Sequence, residues 1–541
     1  MKAKTIITAI SMLLSAAATV SGCGDEEKIA VRPPVVQYVP PALDSPNVAE
    51  DIAVPEAEVT VSPPEDTIIQ SEPQKTNDAD NDQNELEGET AACSTEAPTL
   101  FISADDSNSQ TAPVVVRSLI EEGVNVQTGL SQEGVRPYEF LNYYNISYQP
   151  SNNGKVRVIP QLQEIGENET TRSYVLQIGV QAPATTVRRP LNLTFSLDTS
   201  GSMTGSGLNY MKAAMRSMAE NFRDGDIVSV VVWNESQTVV LDSHMVTGPN
   251  DAVFMVVVNS LQTAGSTDLN TGLAKAYELA EKNYRADRLN RVVLISDGGA
   301  NIGVTNANLI KEHAADGESQ QGVYMVGIGC GDNFNESLIN KVTDAGKGAA
   351  VFLDRAGEAE KMFGERFLEN MDIAAMDVRV QLNLPPTFNV TRFFGEEISS
   401  DPKEVEPQHL GAEDAMIFSQ EISTCNPAGV TGAEEISVDV YYNDPVTFER
   451  IHVSASRRID EMLRAKNFEL TKGRIVVHYA EAAGELLWSI PSEANAAACD
   501  DLMAEIDSAE ELLDQDEDYQ EIRRLAGALC VQRTNDGSYK R

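Results

Sequence analysis

Oxygen-bearing side chains that could hold a metal ion occur in three short segments near the middle of the chain. These segments are Asp198-Thr199-Ser200-Gly201-Ser202-Met203, Gly265-Ser266-Thr267-Asp268 and Ser296-Asp297-Gly298. A hard divalent cation such as Mg²⁺ prefers carboxylate, hydroxyl and water oxygens, and Mg²⁺ keeps a near-octahedral geometry. Three such loops at one edge of a sheet could supply a cation site.

The elements around these segments alternate between strand and helix. Short apolar stretches bounded by Gly, Asp or Asn predict strands, and helical periodicity fills the intervals between them. This alternation indicates an α/β fold with a doubly wound, mostly parallel sheet. Functional sites in such folds lie beyond the carboxyl ends of the strands. The predicted strands are Leu191–Leu197, Ile227–Trp233, Arg291–Ile295, Val323–Ile328 and Ala350–Leu353.

The three segments resemble the metal-ion-dependent adhesion site of the von Willebrand factor type A domain, which has Asp-x-Ser-x-Ser, then a Thr, then an Asp. The resemblance implies that Ser200, Ser202 and Thr267 ligate the cation directly. It also implies that Asp198 and Asp297 act largely through bound water. Mg²⁺ is the implied cation, with Mn²⁺ or Ca²⁺ as alternatives, and a carboxylate of a partner protein would take the open coordination position.

The resemblance extends over about Val135 to Leu525, to a bacterial subgroup of the family. In that subgroup an N-terminal module and a C-terminal region of uncharacterised function flank the domain. The stretches that carry this likeness begin at Arg136, Asp377 and Arg392. The chain departs from the subgroup at Gly299, where many members carry an acidic residue, and in an insertion around Cys425.

Two other interpretations of the serine segment stay open. Asp-x-Ser-x-Ser alone is more often a helix cap, and the motif would then serve a metal-independent structural or assembly factor of the cell envelope. Metal-assisted hydrolysis is the second alternative. The sequence favours a protein that is not an enzyme, because its five histidines show no metal-ligand spacing and it has no phosphate-binding loop or nucleophile elbow. No catalytic residue is assigned.

The N-terminus indicates export and lipid attachment. Lys2 and Lys4 precede an apolar stretch too short to span a bilayer but typical of a signal peptide. The tetrad that ends at Cys23 resembles the lipobox of bacterial lipoproteins, with Val20 in place of the usual Leu. Lipidation of Cys23 would anchor the protein in the bacterial cell envelope, and Gly24 favours the outer membrane if the cell has one. An ordinary secreted protein is the alternative.

The net charge of −42 argues against nucleic acid and anionic lipid headgroups as partners, because no run of Lys or Arg interrupts it. Much of this charge lies between Gly24 and Pro98, where 18 acidic and 3 basic residues accompany ten prolines. That composition predicts a disordered, extended tether. The membrane would be contacted through the lipid anchor alone, and the partner would be a protein.

The predicted organisation of the chain has five parts. Residues 1–22 form the signal peptide, 23–98 the lipidated cysteine and tether, 99–188 a strand-rich N-terminal module, 189–374 the metal-binding α/β domain, and 375–541 a β-rich and then helical region. Beyond Cys23 an odd number of cysteines remains, so at least one is free or pairs between molecules. Pairing is left open among Cys93, Cys330, Cys425, Cys499 and Cys530.

Overall fold

The computed structural model describes residues 96–105, 109–122, 134–146, 148–185, 187–298, 322–331, 339, 342–343, 346 and 348–533. The predicted signal peptide, Cys23 and the predicted tether as far as residue 95 lie outside the described residues. No helix in the described part of the chain is long and apolar enough to cross a membrane.

The central part of the chain folds as the predicted α/β domain. Its strands and helices are β4 (Leu191–Asp198), α3 (Ser206–Glu220), β5 (Ile227–Trp233), β6 (Gln237–Met245), α4 (Ala252–Ser260), α5 (Leu269–Lys282), β7 (Leu289–Ser296), β8 (Tyr324–Cys330), β9 (Ala350–Leu353), α6 (Ala356–Glu360) and α7 (Phe367–Met371), with a π-helical turn at Lys361–Glu365 between the last two. The six-stranded sheet has the order β6-β5-β4-β7-β8-β9, and every neighbouring pair is parallel except β5 and β6. The inner strands β4, β7 and β8 are buried on both faces and are rich in apolar residues, although β4 also buries Asn192, Thr194 and Ser196. The five predicted strands are all present.

Two further sheets flank this domain and are built from both ends of the chain. Their strands are β1 (Thr99–Ser103), β2 (Arg157–Glu167), β3 (Arg172–Gln181), β10 (Ile373–Asn383), β11 (Phe388–Phe393), β12 (Glu397–Ser399), β13 (Gln408–Gly411), β14 (Ala415–Thr424), β15 (Glu435–Asn443) and β16 (Arg450–Arg458). One sheet has the order β12-β1-β10-β15-β16, with β13 paired to β10, and the other has the order β11-β14-β3-β2.

The regions predicted as an N-terminal module and a C-terminal region are therefore interleaved. Strand β1 pairs with β10, and β3 pairs with β14 along its whole length. Side chains from before residue 183 and after residue 374 share one hydrophobic core. The boundary predicted at residue 374 falls just inside β10, which begins at Ile373, and the two flanks form one body rather than two.

Helices from both ends of the chain pack together against the α/β domain, in a core they share with its sheet. These helices are α1 (Thr111–Glu122), α2 (Pro137–Tyr143), α9 (Phe468–Leu486), α10 (Glu493–Ser508), α11 (Glu510–Leu513) and α12 (Glu517–Arg533). The short helix α8 (Ile459–Arg464) packs instead in the core of the two flanking sheets. The aromatic run after Arg136 forms the short helix α2, whose rings contact Tyr479. A disulfide joins Cys499 to Cys530, Cys425 is also disulfide-bonded, and Cys330 is a buried free thiol.

Candidate metal centre

The two predicted carboxylates lie at the carboxyl ends of adjacent parallel strands. Asp198 is the last residue of β4, and Asp297 directly follows β7. The register pairs Leu197 with Ile295, which brings the two strand ends side by side. Both aspartates are completely buried. The parallel sheet thus places two residues that are almost a hundred positions apart at one edge.

The Asp198 carboxylate is fixed by neutral donors. Its Oδ1 accepts a hydrogen bond from the backbone N–H of Ser200 at 2.9 Å, and its Oδ2 accepts one from the Ser296 hydroxyl at 2.7 Å. The Ser296 Oγ in turn accepts the backbone N–H of Gly298 at 3.0 Å. Ser296 was not predicted as a site residue, although its position just before Asp297 at the end of a buried strand was a signal that could have found it.

The serine hydroxyls lie next to this carboxylate on a short 3₁₀ turn, Gly201–Met203. The Oγ atoms of Ser200 and Ser202 are 3.0 Å apart. Ser200 is buried, whereas Ser202 is exposed to solvent. In an octahedral Mg²⁺ site with metal–oxygen distances of 2.0–2.1 Å, adjacent ligand oxygens are separated by about 3 Å. The spacing of the two hydroxyl oxygens therefore fits two adjacent ligand positions of one cation.

The loop that carries Thr267 is held against the serine loop by backbone hydrogen bonds. The N–H of Gly201 donates to the carbonyl of Gly265 at 2.9 Å, and the N–H of Ala264 donates to the carbonyl of Thr199 at 2.8 Å. Gly265 has a φ of 80°, a conformation that glycine adopts without strain. Thr267 itself is buried. The three predicted segments thus lie at one edge of the sheet.

The end of the Thr267 loop is anchored on the far side as well. The N–H of Asp268 donates to the carbonyl of Asn234 at 2.8 Å. The Asp268 side chain caps helix α5 by accepting the backbone N–H of Thr271. This acidic residue is therefore used as an N-cap, and Asp198 and Asp297 remain the two carboxylates of the predicted set.

Electrostatics at this edge favour the arrival of a positive charge. Burial raises the pKa of Asp198, its hydrogen bonds from Ser200 and Ser296 oppose the rise, and the nearby charge of Asp297 adds to it. A cation would relieve this repulsion. No group of three or more His, Cys, Asp or Glu side chains that could hold a metal occurs among the described residues. The predicted set has two carboxylates and depends on hydroxyl oxygens for the rest.

Cys330, at the end of β8, lies close to the same edge. Its thiol donates to the carbonyl of Gly207 at 3.6 Å. Burial raises the pKa of Cys330, and the charges of Asp297 and Asp198 raise it further. A thiol in this environment stays protonated. Cys330 is thus a small, buried free thiol.

Three of the four described histidines have carboxylate partners away from this edge. His244 pairs with Asp251 at 2.8 Å, on β6 and the cap of α4. His452 pairs with an aspartate of β15, and His478 pairs with a glutamate of α10. His409 lies on β13, with its ring against Tyr324. His313, the fifth, is outside the described residues.

The fold and the edge residues together define a class of protein domain. It is a Rossmann-like α/β domain with serine, threonine and aspartate oxygens gathered at the carboxyl ends of its strands. The model of the von Willebrand factor type A domain matches residues 192–365. The chain therefore contains a von Willebrand factor type A domain, with flanking regions before and after it.

Proteins similar to this chain include two bacterial ones. The uncharacterized protein YfbK of Escherichia coli is 27% identical over 221 residues, which cover 40% of this chain and 37% of YfbK. The uncharacterized protein sll0103 of Synechocystis is 25% identical over 226 residues, which cover 41% of this chain and 52% of sll0103. The chain thus spans about half or less of the length of these relatives.

Among solved structures, the ArnB paralog VWA2 from Sulfolobus acidocaldarius is similar to this chain. The two share 14% sequence identity, and the TM-score is 0.39. The match covers 70% of this chain and 98% of VWA2.

Proposed function

We propose that this protein binds a partner protein through a divalent cation held at the strand-end site. The observation that carries the proposal is the hydroxyl pair of Ser200 and Ser202, 3.0 Å apart beside the buried carboxylate of Asp198. Thr267 would supply the third protein oxygen. Asp198 and Asp297 would provide the negative charge, largely through water.

The exposure of Ser202 supports a role in binding, because a cation next to it would face solvent and a partner. A bound Mg²⁺ supplies an electrophilic position that an acidic side chain can occupy. The protein's own residues would hold the cation and leave that position free. Binding is favoured over catalysis, because the hydrogen-bond partners described for Ser200 and Ser202 include no histidine or lysine that could serve as a base.

We further propose that the protein acts in the bacterial cell envelope, anchored by lipid on Cys23 and extended by the acidic tether. The Cys499–Cys530 disulfide supports this location, because disulfides persist in oxidising compartments.

Metal binding is tested by calorimetric titration of Mg²⁺ and Mn²⁺ into the purified protein. We expect one cation per chain, and at least about tenfold weaker binding in Ser202→Ala and Thr267→Ala, because each removes one ligand oxygen. Thr263→Ala is the matched control, since Thr263 lies in the same loop and bonds to Thr204 instead. Absence of metal-dependent heat in the wild type, or equal binding by all variants, would refute the proposal.

The binding role is tested by capture of envelope proteins with and without a chelator. We expect a partner that is captured by the wild type in Mg²⁺ and released by chelation. Ser202→Ala should fail to capture it. Capture that is unaffected by the chelator and by Ser202→Ala would instead support the metal-independent structural factor.

A further inference from the structure

A buried arginine lies at the edge of the α/β sheet opposite the metal residues. Arg291 is the third residue of β7, and only 6% of it is exposed. Its Nη1 donates to the carbonyl of Asn290 at 3.1 Å, and its Cζ lies 5.0 Å from the centre of the Tyr324 ring. Within the described parts of the chain, no carboxylate lies within ion-pair distance of its guanidinium.

Arg291 lines a pocket between the α/β domain and the flanking β body. The pocket is small and partly open to solvent. Two more arginines, Arg189 and Arg288, line it, and its lining includes no Asp or Glu. In a chain with a net charge of −42, three arginines around one pocket are a marked departure from the average.

The charges of these arginines are only partly compensated. Arg189 forms an ion pair with Asp372. Arg288 donates its Nη1 to the backbone carbonyls of Leu191 and Gly225, at 2.8 and 2.9 Å, which neutralises no charge. Two guanidinium groups of the pocket therefore have no carboxylate partner among the described residues. Arg291 is the buried one of these two, and an uncompensated buried charge is unfavourable unless an anion accompanies it.

Burial lowers the pKa of Arg291 to about 10, although the charge of Asp372 works against the decrease. Asp377 and Asp444 act electrostatically on Tyr324 and Arg189 from outside the pocket lining. None of these carboxylates forms an ion pair with the buried Arg291 guanidinium.

The rest of the pocket lining includes apolar and aromatic side chains. Tyr324, Ile373 and Met376 pack together, with Phe448 against them. All four also line the pocket. Small-molecule sites combine mostly apolar walls of this kind with a few charged groups.

We propose that this pocket binds a small organic anion, with its carboxylate or phosphate group on Arg291 and Arg288. The compact apolar or aromatic body of the ligand packs against Tyr324 and Phe448. Guanidinium groups suit this role because their planar donor pairs match the oxygens of carboxylate and phosphate.

The pocket is independent of the metal centre. Arg291 and Asp297 are six residues apart along β7, which corresponds to roughly 20 Å at about 3.3 Å per residue. Anion binding should therefore persist in the presence of a chelator and in Ser202→Ala. Failure of one site leaves the proposal for the other intact.

The test measures binding of phenyl phosphate, benzoate and inorganic phosphate to the purified full chain by calorimetry and thermal denaturation. Benzyl alcohol serves as the neutral probe. We expect at least one aromatic anion to bind and to raise the melting temperature, whereas benzyl alcohol has no effect. Preference for phenyl phosphate or for benzoate identifies phosphate or carboxylate as the recognised group.

Substitution then assigns the site. Arg291→Gln should weaken binding of the aromatic anion by about tenfold or more, because a charge-assisted bidentate contact is lost. Arg285→Gln is the matched control, since Arg285 is exposed, pairs with Asp287 and lies outside the pocket lining. If Arg291→Gln does not fold, Phe448→Ala provides the second variant. It should weaken phenyl phosphate or benzoate binding but leave inorganic phosphate unchanged.

Three results would overturn the proposal. The first is that no anion binds the wild type. The second is that benzyl alcohol binds as well as the anions do. The third is that the aromatic anion binds Arg291→Gln, or Phe448→Ala where that variant replaces it, as tightly as the wild type.

Discussion

Replacing Arg117 by methionine removes the cation at the centre of a buried charge cluster. Arg117 belongs to α1, and its guanidinium contacts three carboxylates from separate elements. It lies 2.7 Å from Asp354 after β9, 2.7 Å from Glu358 of α6 and 3.2 Å from Glu521 of α12. The cluster thus joins helices from both ends of the chain to the α/β domain. Methionine has a similar length but no charge, so the variant isolates the electrostatic contribution.

The size of the effect follows from which carboxylates lose their partner. The Glu358 side chain is 2% exposed, and after the substitution only the Tyr143 hydroxyl still donates to it. Asp354 retains Arg355 at 3.8 Å, and Glu521 retains the same arginine at 3.4 Å. Removal of one partner of a buried ion pair costs about 3–5 kcal/mol. We expect Arg117→Met to lower the free energy of unfolding by about that amount, mainly through Glu358.

The assay is urea unfolding at pH 7, with two further variants. Arg523→Met is the matched control, because Arg523 pairs with Asp507 and Glu510 at the surface and its loss should cost at most about 1 kcal/mol. Adding Glu358→Gln to Arg117→Met should restore about 1–3 kcal/mol, since the unpaired charge is removed. If Arg117→Met costs no more than the surface control, or if Glu358→Gln restores nothing, the account of this cluster is wrong.

Two further predictions concern the packing of the core and its response to pH. Gly272→Ala should destabilise the protein by about 1–3 kcal/mol in urea unfolding, because its new methyl group would overlap the buried Trp233 indole. Gly357→Ala is the control, since the space around Gly357 is open and the substitution should be neutral or stabilising. Equal effects of the two substitutions would contradict the packing argument. Lys472→Met should cost about 3–5 kcal/mol at pH 7, since burial would raise the pKa of Asp518 but the Lys472 ammonium holds it below its usual value. The stabilisation from this lowered pKa is present above about pH 4 and is lost as the pH falls through the pKa of Asp518 in the folded protein. The difference in the free energy of unfolding between Lys472→Met and the wild type should therefore shrink in acid. A constant difference from pH 7 to pH 3 would refute this prediction.

The α/β domain could be predicted from the sequence because its inner strands are short, rich in apolar residues and bounded by turn residues. Strand β6 was missed, since it is an edge strand and none of its side chains is buried. Its sequence therefore lacks the apolar run that marks the other strands.

The arrangement of the flanking regions could not be predicted from local patterns. Alternation indicates that a segment is a strand but not which strand it pairs with. Thr99 in β1 pairs with Asn383 in β10, across the whole α/β domain. The Cys499–Cys530 disulfide could not be predicted from local patterns either, because sequence spacing does not give the distance between the two cysteines.

The sequence and the fold locate the candidate metal residues by different means. The spacing of Asp198, Ser200 and Ser202 identifies the motif in the sequence, and the parallel register of β4 and β7 brings the predicted Asp297 beside it. The position of Ser296 just before Asp297 was a signal in the sequence, but its hydrogen bond to Asp198 depends on side-chain geometry. The ligand roles of the five residues stay a prediction.

The most direct test of the central claim is the anomalous scattering of a crystal of the protein soaked in Mn²⁺. The account predicts one strong peak at the strand-end site, within about 2.5 Å of the hydroxyl oxygens of Ser200 and Ser202 and adjacent to Thr267. The peak should be absent from crystals of Ser202→Ala. A fully soaked wild-type crystal with no peak at these hydroxyls, or with its peak elsewhere, would contradict the claim that this site holds a divalent cation.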